Sequence, residues 1–492
     1  MVKVPTTHGH DRCAAADAVV ADAGQLPLPW ADASPRLGIV RRLQAGWVQQ
    51  RAKALLAHAH QRSAYYRRHH AGWQPADGWA ALPPVHKADL MVHFDDWVTD
   101  PRITLPAVRA FVADPQRIGT DFLGRYAVWS SSGTTGEPGL FLHDGQALAT
   151  YATLVAGRGD AGRLGAGLWQ QMALRGGPAV LLVATQGHYA GISFWQRQAR
   201  LRPGLAAPLH QLSVTRPLPE LIEDLNRLAP IFLSSYPSML SELAEAQGDG
   251  RLHIRPALLW AGGEALADAA RQRIEQAFEA PLGCDYGSSE MLVIACECAQ
   301  HHLHVNDDWV LLEPVDEAGR PVPPGRASHS VLISNWANRV QPFIRYDLGD
   351  SITVATSPCP CGDPRPTITV QGRCDDVLQL AGGAGQPVRL TPMTVATVVE
   401  QAVGRLRFQV RQSAADTVSL RLALADSTQP GVDKAAALAA LRSLLDEQGL
   451  RRVRLRFDPQ APQAEAGSGK LRQVVRDCKA RDSTRSAQAH RP

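Results

Sequence analysis

Between residues 126 and 290 short apolar runs alternate with helix-length amphipathic stretches, and this rhythm sets the expected fold. Residues 179–184 are apolar without a break, as expected of a strand buried on both faces. Residues 192–199 can follow as a helix. A second run, 231–234, precedes Pro237, whose fixed φ suits the first turn of a helix. A third run, 258–260, leads through Gly262 and Gly263 into a helical stretch at 266–278, and 282–285 is a fourth. This βα alternation predicts an α/β fold built on mainly parallel sheets. Such sheets receive ligands at the carboxyl ends of their strands. The glycine-containing and polar segments 188–191, 235–237, 262–264 and 286–290 fall at those ends. Strand exits are loops in any protein, so packing alone would tolerate the same pattern.

The flanking regions differ in character. Residues 40–70 read as helix, with Leu43, Val48, Leu55 and Leu56 on one side. Arg51, Lys53, Arg62, Arg67 and Arg68 form an opposite basic face that reads as solvated. Residues 303–356 carry short β-rich runs (310–314, 330–334, 352–355) separated by turn signals, which predicts a β subdomain over about 303–372. After residue 373 a compact α+β unit begins. Thr391 can cap a helix that starts at Pro392, 418–424 alternates as a strand, 435–447 is helical and 453–457 is a strand. The expected organisation is therefore a large domain over 1–373, a small one over 374–481, and a polar, disordered tail at 482–492.

Composition narrows the function classes. The chain has 492 residues, 45% hydrophobic and 20% charged, which is ordinary for a globular protein with an ample core. A net charge of +4 from 51 basic and 47 acidic residues is too balanced for nucleic acid or an anionic membrane to be the main partner. The sequence opens without an apolar leader and has no run long enough to span a membrane, so a cytoplasmic protein is expected. Eight cysteines in so long a chain do not make a disulfide framework. Two thiol pairs stand out, Cys296 with Cys298 and Cys359 with Cys361, and His301, His302 and His304 follow the first. Four thiolates, or three with one imidazole, would close a tetrahedral structural zinc site. The bland alternative is buried free cysteines packing as small hydrophobes. Cys13, Cys284, Cys374 and Cys478 are isolated and read as having no role.

The densest candidate chemistry is residues 130–139, Ser-Ser-Ser-Gly-Thr-Thr-Gly-Glu-Pro-Gly. Glycines let a backbone approach a ligand closely, and freed N–H groups in such a loop form an anion-binding concavity. Ser130, Ser131, Ser132, Thr134 and Thr135 add donors, and a phosphate chain would use them all. Ser/Gly clusters are also ordinary turns. Near the other end, Gly467-Ser468-Gly469-Lys470 is not the end of a Walker A loop. That motif needs Ser or Thr after the lysine and Gly five places before its second Gly, where this chain has Leu471 and Ala464.

Five segments in order carry a resemblance: SSSGTTGEPG at 130–139, GGE at 262–264, DYGSSE at 285–290, RYDLGD at 345–350 with GRCDD at 372–376, and GSGKLRQ at 467–473. With these the chain resembles the adenylate-forming superfamily, and within it the phenylacetate–coenzyme A ligase branch. The resemblance implies an acid–thiol ligase that uses ATP and Mg²⁺. Ser131, Ser132, Gly133, Thr134, Thr135 and Gly136 would wrap the β- and γ-phosphates. Gly262, Gly263 and Glu264 would form the adenine-side turn. Tyr286, flanked by Asp285, Gly287 and Ser288, would stack on the purine, as aromatics do on bases. Glu290 would help hold Mg²⁺, which suits a carboxylate. Asp350 would accept the ribose hydroxyls, with Arg373 on ribose or phosphate. Lys470 would stabilise the charge that develops as a carboxylate attacks the α-phosphate, a contact whose loss typically costs roughly 100- to 1,000-fold in rate. Asp375 would be the hinge about which the C-terminal domain turns between adenylation and thiol attack.

Carried over to the cysteines, the resemblance selects Cys298, His304, Cys359 and Cys361 for zinc, with Cys296 as substitute for His304. The branch mostly handles aromatic acids. Tyr236 and the turn of His188, Tyr189 and Gly191 are the candidate acid pocket, with Phe141 or Phe194 nearby. The thiol would be coenzyme A or the phosphopantetheine of a separate acyl carrier protein, and a homodimer fits the class. The chain departs from the pattern at Gly139, where related loops carry a polar residue, and in the Gly/Ala-rich stretch after Asp376. That stretch is where thiol transfer would be served, so an enzyme that stops at the adenylate and hands it to a reductase or other acceptor is a rival. A non-catalytic nucleotide scaffold is another, opposed by the presence of both Glu290 and Lys470.

Overall fold

The structure is a computed structural model that describes residues 38–131, 138–159, 175–201, 209–382, 387–403, 407–424, 430–465 and 469–477. The expectations placed on residues 13, 132–136, 467–468, 478 and the 482–492 tail lie outside the described residues.

The N-terminal helices α1 (Gly38–Arg62) and α2 (Ala64–His69) bury Val48, Leu55, Leu56 and Ala59 at helical spacing. Ser63 ends the first and caps the second by accepting the N–H of Tyr66. The basic face is partly docked. Arg51 lies 3.8 Å from the ring centroid of Trp309 and donates to the Asp308 carbonyl at 2.6 Å. Helices α3 (Lys87–Val92) and α4 (Leu105–Val112) follow. The antiparallel pair β1 (Ala127–Ser130) and β2 (Leu140–His143) brackets the hydroxyl-rich loop, with Ser130 opposite Leu140. Asp144 then caps α5 (Gly145–Leu154).

The βα rhythm appears as β3 (Ala179–Val183), α6 (Ala190–Leu201), β4 (Leu209–Ser213), α7 (Leu218–Leu228), β5 (Phe232–Ser235), α8 (Pro237–Gly248), β6 (Leu258–Ala261), α9 (Asp268–Phe278) and β7 (Leu282–Tyr286). The chain continues through β8 (Ala295–Glu297), β9 (Leu303–Val305), β10 (Val310–Val315), β11 (Ser330–Asn335), β12 (Phe343–Asp347), β13 (Asp350–Val354) and β14 (Thr367–Arg373). One nine-stranded sheet runs β13-β14-β9-β8-β7-β6-β5-β3-β4. Its half from β7 to β4 is parallel, and its half from β7 to β13 is antiparallel. The β-rich region is thus shared: β9, β13 and β14 extend the large sheet, while β10, β11 and β12 make a separate antiparallel sheet. Every residue of β10 and β11 is buried, which explains their near-continuous apolar runs.

Past a 3₁₀ turn at Cys374–Asp376, the C-terminal unit comprises β15 (Leu378–Ala381), β16 (Pro387–Leu390), α10 (Pro392–Val403), β17 (Phe408–Ala414), β18 (Thr417–Leu422), α11 (Pro430–Glu447), β19 (Arg454–Phe457) and β20 (Val474–Arg476). Thr391 accepts the N–H of Thr394, as its capping position requires. Phe408, Val410, Leu420, Leu441 and Leu445 form a core of the unit's own. The chain is an α/β protein with a large sheet domain and a small α+β domain on it.

Candidate active site

The exits of β5 and β6 meet the lysine loop of the C-terminal unit. Gly263 stands at φ +79, and a Cβ added there would lie 3.0 Å from Lys470 Cε, 3.2 Å from its Nζ and 3.3 Å from Tyr236 Cε1. The lysine therefore lies against bare backbone that any side chain would occupy. Its Nζ sits 6.0 Å from the Tyr236 ring centroid. Burial lowers the pKa of this ammonium, while Glu264, Glu465 and Asp350 raise it again and Arg373 lowers it. The ammonium thus lies within electrostatic range of Asp350 and Arg373.

Glu264 fastens this arrangement. Its carboxylate accepts the Leu471 N–H at 2.8 Å across the domain boundary, and the Ser238 N–H and hydroxyl at 3.1 Å each at the start of α8. A helix N-terminus favours negative charge. Burial raises the pKa of Glu264, opposed by the Leu471 and Ser238 bonds and by Lys470. The carboxylate expected beside a base is thus engaged with the lysine loop, and the two glycines supply the open turn. Arg472 pairs with buried Asp376, tying the same loop to the residue after exposed Asp375.

The 285–290 turn is held from several sides. The Asp285 side chain accepts the indole N–H of Trp260 at 2.6 Å, and burial pushes its pKa up to about 6. A Cβ on Gly287 would fall 1.9 Å from the Leu292 carbonyl oxygen, so only glycine fits. Ser288 donates its N–H to Met291 O at 2.9 Å and accepts the Met291 N–H at its hydroxyl. Trp129 donates its indole N–H to the Ser289 carbonyl at 2.7 Å. Glu290 is buried, and its pKa is raised by that burial against hydrogen bonds from Tyr346 and Ser288.

The RYDLGD strand explains its own residues. Arg345, left-handed at φ +49, donates to Glu313 at 3.1 Å and to the Ala80 carbonyl at 2.6 Å, so it is a structural tie. Tyr346 reaches Glu290. Asp347 accepts from Ser330 and faces His86. Asp350 accepts the Tyr286 hydroxyl at 2.7 Å and Arg373 Nη1 at 3.0 Å, and Arg373 also donates to the Leu348 carbonyl at 2.8 Å. Gly262, Gly263, Tyr286, Asp350, Arg373, Glu290, Tyr236 and Lys470 are thus brought to one region. Of the hydroxyl loop, Ser131 is described, and its hydroxyl accepts the Gly139 N–H at 2.9 Å.

The 188–191 turn divides. The ring of His188 is buried against Phe111 and reaches the Asp114 carbonyl at 3.0 Å, while its own carbonyl accepts the Ser130 N–H at 2.7 Å. That imidazole is turned into the fold. Tyr189 is half-buried and its electrostatic partners include Glu465 and Tyr236, while Gly191 has open space around it. Phe141 and Phe194 belong to the main core.

A family model described as AMP-binding enzyme matches residues 51–334, more than half of the chain. The chain belongs to the AMP-binding enzyme family. It is therefore a member of the adenylate-forming superfamily. Asp350, Arg373 and Lys470 lie beyond the matched residues and join the site through the fold. The solved 2-hydroxyisobutyryl-CoA ligase, in a postadenylation state with 2-HIB-AMP, superposes with a TM-score of 0.60 at 22% identity, covering 89% of this chain and 90% of that one. The same ligase with 2-HIB-AMP and CoA in its thioesterification state gives a TM-score of 0.52 at 22% identity, covering 91% and 92%. At these identities the likeness is one of fold. Protein CapK of Staphylococcus aureus is 25% identical over 183 residues, 35% of this chain and 39% of its own length. This chain thus matches well under half of that relative.

This AMP-binding enzyme also carries a Cys/His cluster away from the Lys470 region. Cys298, His304, Cys359 and Cys361 bring their ligand atoms within 4.8 Å of one another. Cys298 and Cys359 sulfurs are 3.7 Å apart, close to the about 3.8 Å edge of a tetrahedron with zinc–sulfur bonds of about 2.3 Å. His304 Nδ1 can only donate to the Arg365 carbonyl, at 3.0 Å, which leaves Nε2 bare 3.3 Å from the Cys361 sulfur. Backbone N–H groups of Gln300 and Asp363 point at the Cys298 and Cys361 sulfurs. Cys296 stands apart, with its thiol near Asn306 Nδ2. The donor set fits a closed zinc site.

Sequence reasoning missed Tyr346 and Ser238. Tyr346 and Ser238 serve through partners distant in sequence, which no local pattern signals.

Proposed function

We propose that this enzyme activates a carboxylic acid with ATP to an acyl-adenylate and pyrophosphate, and then transfers the acyl group to the thiol of coenzyme A. Family membership and the ligase fold support this reading. The observation that carries it is the placement of Lys470: it comes from the small domain, lies against Gly263 and is within electrostatic range of Asp350 and Arg373. In this reading the acid's oxygen attacks the α-phosphorus, the bond to the β-phosphate oxygen breaks, and Lys470 neutralises the charge gathered on the α-phosphate. Asp350, oriented by Tyr286 and Arg373, takes the ribose hydroxyls. Glu290 is the carboxylate that would hold Mg²⁺ against the phosphates. The residues 131–136 serve the phosphate chain, and Asp375 marks the hinge about which the small domain would turn for thiol attack.

The acid we propose is aromatic or arylacetic. Tyr236 supports this, being buried beside both Gly263 and Lys470, with Tyr189 next to it. Cys298, His304, Cys359 and Cys361 are proposed to hold a structural zinc, which would close its coordination and leave no open position for catalysis. ATP–pyrophosphate exchange over a panel of aliphatic and aromatic acids tests the first half-reaction. Thioester formation with coenzyme A and with a pantetheinylated carrier protein tests the second. Exchange with aryl acids and thioester with coenzyme A are expected. Exchange without any thioester would leave an adenylating enzyme with another acceptor.

A further inference from the structure

Lys87 is a further cation near the same site, in addition to Lys470 and Arg373, and it belongs to the body of the protein. It opens α3, far in sequence from the motif segments between 130 and 473. Residues just before it are stitched to β12: Val85 donates its N–H to the Arg345 carbonyl at 3.1 Å, and Asp347 donates its N–H to the Val85 carbonyl at 2.9 Å. His86 adds a contact to Asp347 at 3.3 Å. The strand that carries Tyr346, the hydrogen-bond partner of Glu290, therefore also fixes where Lys87 starts.

The side chain then runs to the end of the hydroxyl-rich loop. A Cβ on Gly139 would lie 3.2 Å from Lys87 Cδ, and 2.7 Å from the Phe141 ring. This accounts for glycine at a position where a polar side chain was expected: the lysine stem and the phenyl ring fill its space. The charges that act on the ammonium are Glu290, Arg373 and Asp375. Lys87 thus lies beside Gly139, within electrostatic range of the candidate Mg²⁺ carboxylate, the arginine bonded to Asp350, and the hinge residue.

We propose that Lys87 binds the β- and γ-phosphates of ATP and remains on the pyrophosphate as it leaves. The proposal rests on the adenylation reading. In that reaction the acid's oxygen forms the new bond to the α-phosphorus, and the departing pyrophosphate takes the electron pair of the broken bond. Lys470 arrives from the small domain and withdraws with it. Lys87 does not move with that domain, so the leaving group keeps a cation in either pose. Burial and Arg373 lower the pKa of Lys87, and Glu290 and Asp375 raise it. A bound polyphosphate would restore the charged form in the same way.

The test is titration of full-length protein with MgATP, AMP and pyrophosphate, for wild type, Lys87→Met and Lys87→Arg. Methionine keeps an unbranched stem beside Gly139 and removes only the charge. Affinity for ATP and pyrophosphate is expected to fall about 10- to 100-fold in Lys87→Met, as for loss of a hydrogen bond to a charged group. AMP affinity should stay unchanged, and Lys87→Arg should recover part of the loss. A structural role would instead weaken ATP and AMP alike and would overturn the proposal. An unchanged ATP-to-AMP ratio in a wild type that binds both would also overturn it, with the adenylation reading intact. A wild type that binds neither nucleotide would overturn that reading first.

Discussion

Replacing Glu264 by glutamine tests whether the body of the protein holds Lys470, the proposed catalytic lysine, in place. The carboxylate takes one bond from the lysine loop, Leu471 N–H at 2.8 Å, and two from Ser238 at 3.1 Å each. Only the first crosses between domains. Glutamine keeps the shape, loses the charge and turns an amide N–H₂ toward groups that are themselves donors. A hydrogen bond to a charged group contributes about 1.5–3 kcal/mol. The pose that presents Lys470 should therefore lose about 10- to 100-fold in population. The assay is ATP–pyrophosphate exchange with an active acid, beside thioester release from supplied acyl-adenylate. Exchange should fall by that factor, ATP affinity should stay near wild type, and thioester release should change little. Unchanged exchange would refute the reasoning, as would an equal loss in both half-reactions.

Two further outcomes are expected. Burial lowers the pKa of Lys470 and Glu264 is the largest opposing charge, so the ammonium is lost at a lower pH than in an ordinary lysine. Exchange should then fall on the alkaline side; Glu264→Gln should move that limb to lower pH and Lys470→Arg should flatten it, both read from the pH profile of the exchange rate. For the cysteine cluster, elemental analysis should find one zinc per chain, and either Cys359→Ser or a strong chelator should remove it and lower the thermal midpoint. Metal-free protein with the same midpoint would count against the site.

Much of the parallel half of the large sheet was legible because its strands are apolar on both faces. Residues 179–184 became β3, 231–234 became β5, and Pro237 begins α8. β4 was missed: Leu209, His210 and Gln211 of this edge strand alternate weakly and carry no buried run. The antiparallel half of the sheet was read as a separate β subdomain, because strand partnership across long separations leaves no local pattern. Arg51 shows the same limit, since its place on the Trp309 ring depends on a residue far along the chain. At the site, the glycines were legible as open turns, and Gly287 and Gly263 are positions where a Cβ would strike backbone or Lys470. Glu264 was not legible in detail: the sequence places it at a strand exit but does not show that Leu471 closes on it. His188 likewise lies in the turn after β3, but its ring faces Asp114, which the sequence does not show.

Lys470 is proposed to act at the reacting phosphate rather than in nucleotide binding. Wild type and Lys470→Ala, compared for MgATP affinity and for acid-dependent pyrophosphate exchange, test this directly. Similar ATP affinity and a loss of exchange of about 100- to 1,000-fold are expected. A variant that exchanges like wild type, or a wild type that exchanges with no acid, would contradict that role.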